Sequence, residues 1–149
     1  MNINIRPIQP EDKDVWRPLF DGYLEFYETN LSHSQIELTW QRLLKPDFNS
    51  YGLVAEIQGV VIGLTHYSFQ NSTWAPENYC YLEDLFTLPS SRGQGIGRAL
   101  IDAVLQIAQE AGSSRVYWNT DGTNGVARKL YDTYTQASGK VQYRIRLDG

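Results

Sequence analysis

One cysteine, one methionine and two histidines stand among the 149 residues, and these shortages remove whole classes of chemistry. With Cys80 alone, the chain can form neither an intramolecular disulfide nor a thiolate metal cluster, and a reducing cytoplasm is the expected location. His33 and His66 lie far apart, with no Asp or Glu spacing around them that reads as a ligand set. Each is read as a surface or packing residue, and no metal is expected. Apolar runs stay far short of the ~18 residues that would suggest a membrane span. The amino terminus, Asn2-Ile3-Asn4-Ile5-Arg6, alternates polar and apolar residues as a strand does and lacks the apolar centre of a signal peptide, so secretion is not expected. A basic excess is missing as well. The 13 Lys and Arg face 17 Asp and Glu, for a net charge of −4, which argues against general affinity for nucleic acid and suits a cationic partner better.

What is present reads as one domain, 1–149, with 42% hydrophobic and 20% charged residues, enough to bury a core. Residues 3–6 read as a first strand. Pro10-Glu11-Asp12 then opens a helix whose apolar positions Val15, Trp16, Leu19, Phe20, Tyr23, Leu24 and Tyr27 recur at steps of three and four. A second helix is expected from about Ser34 to Leu44, opened by Ser34 and Glu37 in capping-box spacing. Leu53–Ile57 and Val60–Thr65 are β-branched runs joined by a Gln58-Gly59 hairpin turn. Tyr79 to Leu88 supplies the next strand. A helix from Gly97 to about Ala111 follows, with Leu100, Ile101, Val104, Leu105 and Ala108 on one stripe. The strand after it, near Val116-Tyr117-Trp118, is reached by a helical crossover and so should run parallel to the Tyr79–Leu88 strand. Val141, Tyr143, Ile145 and Leu147 alternate with polar residues, which predicts a closing strand.

The most informative segment joins the Tyr79–Leu88 strand to the helix after it: Arg92-Gly93-Gln94-Gly95-Ile96-Gly97-Arg98. Glycines at 93, 95 and 97 permit backbone angles closed to other residues, and the helix that follows aims its first-turn N–H groups and positive dipole end at the same spot. Arg92 and Arg98 add fixed positive charge, so the segment suits an anionic ligand such as a phosphate. It is not a P-loop, since no lysine follows the glycines, and its Gly-x-Gly-x-Gly spacing is not the dinucleotide Gly-x-Gly-x-x-Gly.

The spacing Arg-x-x-Gly-x-Gly after Leu-Glu-Asp-Leu-Phe resembles the acetyl-CoA signature of the GNAT superfamily of N-acetyltransferases. Asn124, followed seven residues later by Tyr131, resembles that family's second signature. The likeness is nearest to polyamine and histone/polyamine acetyltransferases. It implies an α/β fold with a mixed sheet, antiparallel at the start and splayed between two parallel strands where the pantetheine arm enters.

On that resemblance the acetyl-CoA pyrophosphate meets the backbone of Gly93, Gln94, Gly95, Ile96, Gly97 and Arg98, beside Arg92. Pantetheine lies along Leu85, Phe86 and Thr87, and Asn124 and Ala127 border the cofactor. Tyr131 is the implied general acid for the leaving thiolate, with Tyr134 as the fallback. Glu83 is the implied base for the amine, with Asp84, Tyr27 and Glu28 on the acceptor side. Simple strand alternation would send Glu83 and Asp84 to opposite faces, leaving at most one of them toward the acceptor. The chain departs from the polyamine pattern at Ser138-Gly139-Lys140, where Lys140 replaces an expected acidic residue. The expected activity is acetyl transfer to a small cationic amine, and the resemblance implies a homodimer. A protein acetyltransferase and an acyl-CoA sensor without chemistry are the alternatives.

Overall fold

The computed structural model describes residues 2–148 and falls into two compact units, Met1–Trp118 and Asn119–Gly149. The first unit begins with β1 (Asn4–Pro7). A 3-10 turn at Pro10–Asp12 leads into α1 (Lys13–Phe26) and then α2 (His33–Leu43). Three strands follow, β2 (Ser50–Ile57), β3 (Val60–Gln70) and β4 (Asn78–Thr87). α3 (Ile96–Glu110) and β5 (Ser113–Tyr117) complete it. The sheet order is β1-β2-β3-β4-β5, with antiparallel neighbours except for the parallel β4–β5 pair. Strand order and direction are therefore as the sequence led us to expect.

Helical spacing in α1 puts Trp16, Leu19, Phe20 and Leu24 into one cluster with Trp40 of α2 and with Val54, Leu64 and Phe86 of the sheet. On the opposite face lies α3, which buries Ile96, Leu100, Ile101, Val104 and Ala108. Gly63 permits that approach. A Cβ there would lie 3.0 Å from Ile96 and 3.2 Å from the Phe86 carbonyl, closer than packed carbon atoms tolerate.

Three local expectations are corrected. The second helix is capped by Ser32, whose hydroxyl accepts from the Gln35 N–H at 3.1 Å, so the start lies ahead of Ser34 and no Ser34–Glu37 box forms. In the glycine turn only Gly93 and Gly95 take positive φ, at 80° and 82°, while Gly97 already belongs to α3. The third concerns the second unit, whose only regular element among the described residues is α4 (Gly125–Tyr131). The expected closing strand does not form there, and Val141, Tyr143, Ile145 and Leu147 are 80–94% exposed. Alternation makes a ribbon with one apolar face, but a strand exists only where a neighbour supplies the hydrogen-bond ladder.

The entry into α1 rests on a partly buried ion pair. Arg6 donates to both oxygens of Asp12 at 2.8 and 2.9 Å, and the Gln9 N–H donates to the same carboxylate at 2.8 Å. The Arg6 hydrogen bond, reinforced by Gln9, holds the Asp12 carboxyl below the usual carboxylate range. A carboxyl depressed in the folded state contributes stability above its unfolded pKa and loses it as pH falls through the folded value. Asp12→Ala is therefore expected to cost about 2 kcal/mol or more at pH 7. In urea unfolding followed against pH, the gap from the parent should narrow below pH ~4, and a gap that does not depend on pH would refute the assignment.

Candidate active site

β4 pairs with β5 only as far as Tyr81↔Tyr117. Beyond that pair, Leu82 to Thr87 continues with β3 alone on one side. Leu85, Phe86 and Thr87 thus lie on the stretch that β5 does not cover, where a strand edge can receive an extended ligand. Phe86 is itself buried against α1, and a Cβ on Gly22 would sit 3.1 Å from its ring.

The turn after β4 is open to solvent. Arg92, Gly93, Gln94, Gly95 and Arg98 are exposed, whereas Ile96 is buried, so Ile96 contributes backbone to the turn and its side chain to the core. Gly95 caps α3 in the left-handed region, and its carbonyl accepts the first helical bond, from the Ala99 N–H at 3.0 Å. The N–H groups of the first turn precede that ladder and face the exposed loop. Arg92 does more than flank the turn. Its guanidinium lies 5.3 and 5.6 Å from the Phe26 and Phe86 ring centres, and its Nε donates to the Thr87 carbonyl at 3.3 Å. The charge is anchored beside the uncovered end of β4.

The acceptor side depends on an irregularity that strand alternation alone does not reveal. His66 pairs with Asp84, and Tyr67 pairs with Leu82, so Glu83 has no opposite number on β3. This is a β-bulge, and the extra residue resets the alternation. Leu82 keeps the face of Tyr67, Asp84 takes the face of His66, and Glu83 joins Asp84 on the α1 side. The expectation of opposite faces is therefore overturned.

Both carboxylates act electrostatically on Tyr23 of α1, Asp84 the more strongly. Burial, then Asp84, push the Tyr23 phenol far above its ordinary value, so it remains a donor. Glu83 has an exposed tip, yet partial desolvation and then the Asp84 charge raise its carboxyl above the usual range. That direction suits a base better than an ordinary surface glutamate would.

Asp84 is already engaged. It holds His66, with Nδ1 to Oδ2 at 2.8 Å, and the buried His66 ring accepts the Trp16 indole N–H at Nε2 at 3.0 Å. An indole N–H can only donate, so Nε2 is an acceptor and the imidazole proton sits on Nδ1, directed at Asp84. Trp16, Tyr23 and His66 are the site residues that sequence reasoning missed. One signal was available: His66 is a polar residue inside the buried run Ile62–Tyr67, and a buried polar group requires a partner.

The Tyr27–Glu28 pair divides. The Tyr27 ring packs on Tyr23 at 4.9 Å, within the acceptor cluster. Glu28 ends α1 at φ 52°, in the left-handed region usually given to glycine. It lines a different cleft of about 410 Å³ with Asp21, Glu25 and Ile36. In the second unit, Asn124 caps α4 by accepting the Ala127 N–H at 3.3 Å, and Tyr131 is the helix's last residue. The Asn-to-Tyr spacing is thus the span of one short capped helix.

The chain is similar in sequence and in fold to known proteins. The sequence profile of the acetyltransferase (GNAT) family matches residues 16–134. A D-amino-acid N-acetyltransferase of Saccharomyces cerevisiae, HPA3, is 32% identical over 144 residues, covering 95% of this chain and 89% of its own. A thialysine N-epsilon-acetyltransferase of Mus musculus is 33% identical over 132 residues, covering 77% and 76%. Among solved structures, AAC(6')-Iy in complex with the bisubstrate analog CoA-S-monomethyl-acetylneamine superposes with a TM-score of 0.84 at 22% identity, over 99% of this chain and 100% of that one.

A Cβ on Gly95 would meet nothing within 4 Å, so substitution there strains the backbone by only about 1–2 kcal/mol. Gly95→Asp also adds a negative charge at the turn. By calorimetry it should weaken CoA binding by about tenfold or more, with Gly95→Ala losing much less. Equal affinity in the two variants would remove the turn as the phosphate site.

Proposed function

This chain belongs to the GNAT family of acetyltransferases, and on that premise we propose that it moves the acetyl group of acetyl-CoA directly onto the primary amine of a small cationic acceptor. The observation that carries the acceptor half of this reading is the bulge, which brings a second carboxylate, Glu83, beside Asp84 on the α1 face. The open glycine turn and the uncovered end of β4 support the cofactor half. Both relatives named above are N-acetyltransferases, and polyamines and basic amino acids share the ammonium that such a site would meet.

An alkylammonium of pKa near 10 must lose a proton before it attacks, which costs about 4 kcal/mol at pH 7 at ~1.36 kcal/mol per unit. Glu83 accepts that proton. The amine lone pair then forms the C–N bond at the thioester carbonyl, and collapse of the intermediate breaks the C–S bond. The phenol of Tyr131 protonates the departing thiolate, and the second proton of the attacking nitrogen passes to the resulting phenolate as the amide forms. No covalent enzyme intermediate is required. Cys80 is fully buried, and burial pushes its thiol up to about 11, so it is a poor nucleophile. A cytoplasmic location belongs to the same proposal, supported by this one free, protonated thiol.

Glu83→Gln is expected to lower turnover by about 10²-fold, most at low pH, while keeping CoA affinity. Tyr131→Phe should do the same without the pH trend, and Tyr134→Phe should do far less. Release of CoA thiol is to be followed across polyamines, D-amino acids, thialysine, aminoglycosides and lysine peptides. Preference for a neutral or peptide acceptor, with Glu83→Gln fully active, would overturn the small-cation reading. Binding of acetyl-CoA with no turnover on any acceptor would favour a sensor.

A homodimer is the second part of the proposal, supported by the exposed stripe Val141, Tyr143, Ile145 and Leu147. Covering four such side chains on each of two copies buries on the order of 1,000 Å², the low end of specific interfaces. The full chain is expected to sediment as a dimer at micromolar concentration, and Tyr143→Ser with Ile145→Lys as a folded monomer. A monomeric parent, or a dimer indifferent to both substitutions, would refute the assignment.

A further inference from the structure

Resting on the reading of Glu83 as the amine's base, we propose that His66 is a positioning residue for that base. Locked as its Nδ1–H tautomer by Trp16, it holds Asp84 in place beside Glu83. The chain of contacts is continuous and directional. The Trp16 indole donates to His66 Nε2 at 3.0 Å, and His66 Nδ1–H donates to Asp84 Oδ2 at 2.8 Å. Tyr23 of α1 adds an electrostatic interaction with the same carboxylate. His66 is 4% and Trp16 1% exposed, so no solvent exchange competes with these bonds.

Aromatic packing restricts each member further. Trp16 stacks on Phe20 at 5.0 Å, Phe20 meets the His66 ring edge at 5.4 Å, and Tyr23 packs on Phe20 at 5.9 Å and on Phe86 at 6.4 Å. The backbone is held as well, because the Thr65 hydroxyl donates to the Asp84 carbonyl at 2.7 Å. Asp84 is therefore fixed by the His66 donor and a backbone clamp at the bulge itself. A carboxylate committed to a buried donor is a poor ligand for a substrate ammonium. It serves better as a stationary negative charge next to Glu83, the neighbour that solvent and substrate can reach. Among the described residues, Asp84 on its own strand and His66 on β3 act on Glu83, and Glu83 in turn acts on Tyr23 of α1. Of these, Asp84 is the anion that makes Glu83 more basic.

His66→Leu removes the Nδ1–H donor, so Asp84 is free to turn away from Glu83. kcat/KM for the acceptor should fall about tenfold or more, with CoA affinity unchanged. The acid limb of its pH profile should move down by about half a unit or more as Glu83 loses its anionic neighbour. His66→Asn places an amide N–H near the lost Nδ1–H and should recover most of both effects. Trp16→Phe keeps the ring packing but drops the indole donor, and its losses should be intermediate. In the parent protein, 15N–1H correlations should report a protonated Nδ1 and a bare Nε2 on His66. A proton on Nε2, or a folded His66→Leu enzyme with an unchanged pH profile, would overturn the proposal. So would His66→Asn performing no better than His66→Leu. A fully active Glu83→Gln enzyme would remove the base and this role together, whereas an impaired Glu83→Gln enzyme beside a normal His66→Leu enzyme would remove only the role of His66.

Discussion

A strand paired on both sides has its backbone hydrogen bonds committed to the sheet. β4 is paired on both sides only up to Tyr81, and the rest of the site follows from that limit. Past Tyr81 the strand keeps β3 and leaves the side toward β5, which makes Leu85 to Thr87 available to an extended ligand without loss of sheet order. The turn that ends the strand then presents α3's first N–H groups at the end of the same path. One backbone course thus supplies an edge and an anion cradle in sequence. Arg92, held between Phe26 and Phe86, fixes a positive charge where the two meet.

The bulge adds chemistry to this course. Inserting Glu83 opposite no residue costs a ladder contact, and in return it turns two acidic side chains toward α1. Two like charges side by side are unfavourable unless their environments differ. Here they do differ. Asp84 is engaged by His66 within a packed wall, while Glu83 faces outward and its carboxyl is raised by partial desolvation and by Asp84. Adjacent residues of the same charge type can therefore perform unlike tasks.

Stability and function share α1. Its buried stripe anchors the helix through Trp16, Leu19, Phe20 and Leu24, and the same helix delivers Tyr23 to Asp84 and the indole N–H of Trp16 to His66. Gly22 lets it approach Phe86 closely. A change in how α1 sits on the sheet would disturb the hydrogen-bonded chain before it disturbed the core, because hydrogen bonds tolerate smaller displacements than apolar contacts do. The Arg6–Asp12 pair at the helix entry is thereby connected to the geometry of the site.

Local patterns in the sequence determined the strands and helices and their order, because side-chain periods of 2 and 3.6 are properties of the backbone itself. They also determined the glycine turn, since a helix opening at Gly95 with φ 82° favours a residue without a Cβ. The spacing from Asn124 to Tyr131 likewise marked a capped helix. Tertiary structure alone decided the rest. The bulge that places Glu83 beside Asp84 exists only through pairing with β3. The role of His66 depends on Trp16, 50 residues away in the chain. The apolar ribbon at Val141 to Leu147 shows the converse: its pattern was legible, but a strand is a relation between two segments, and no described segment of the second unit supplies the other.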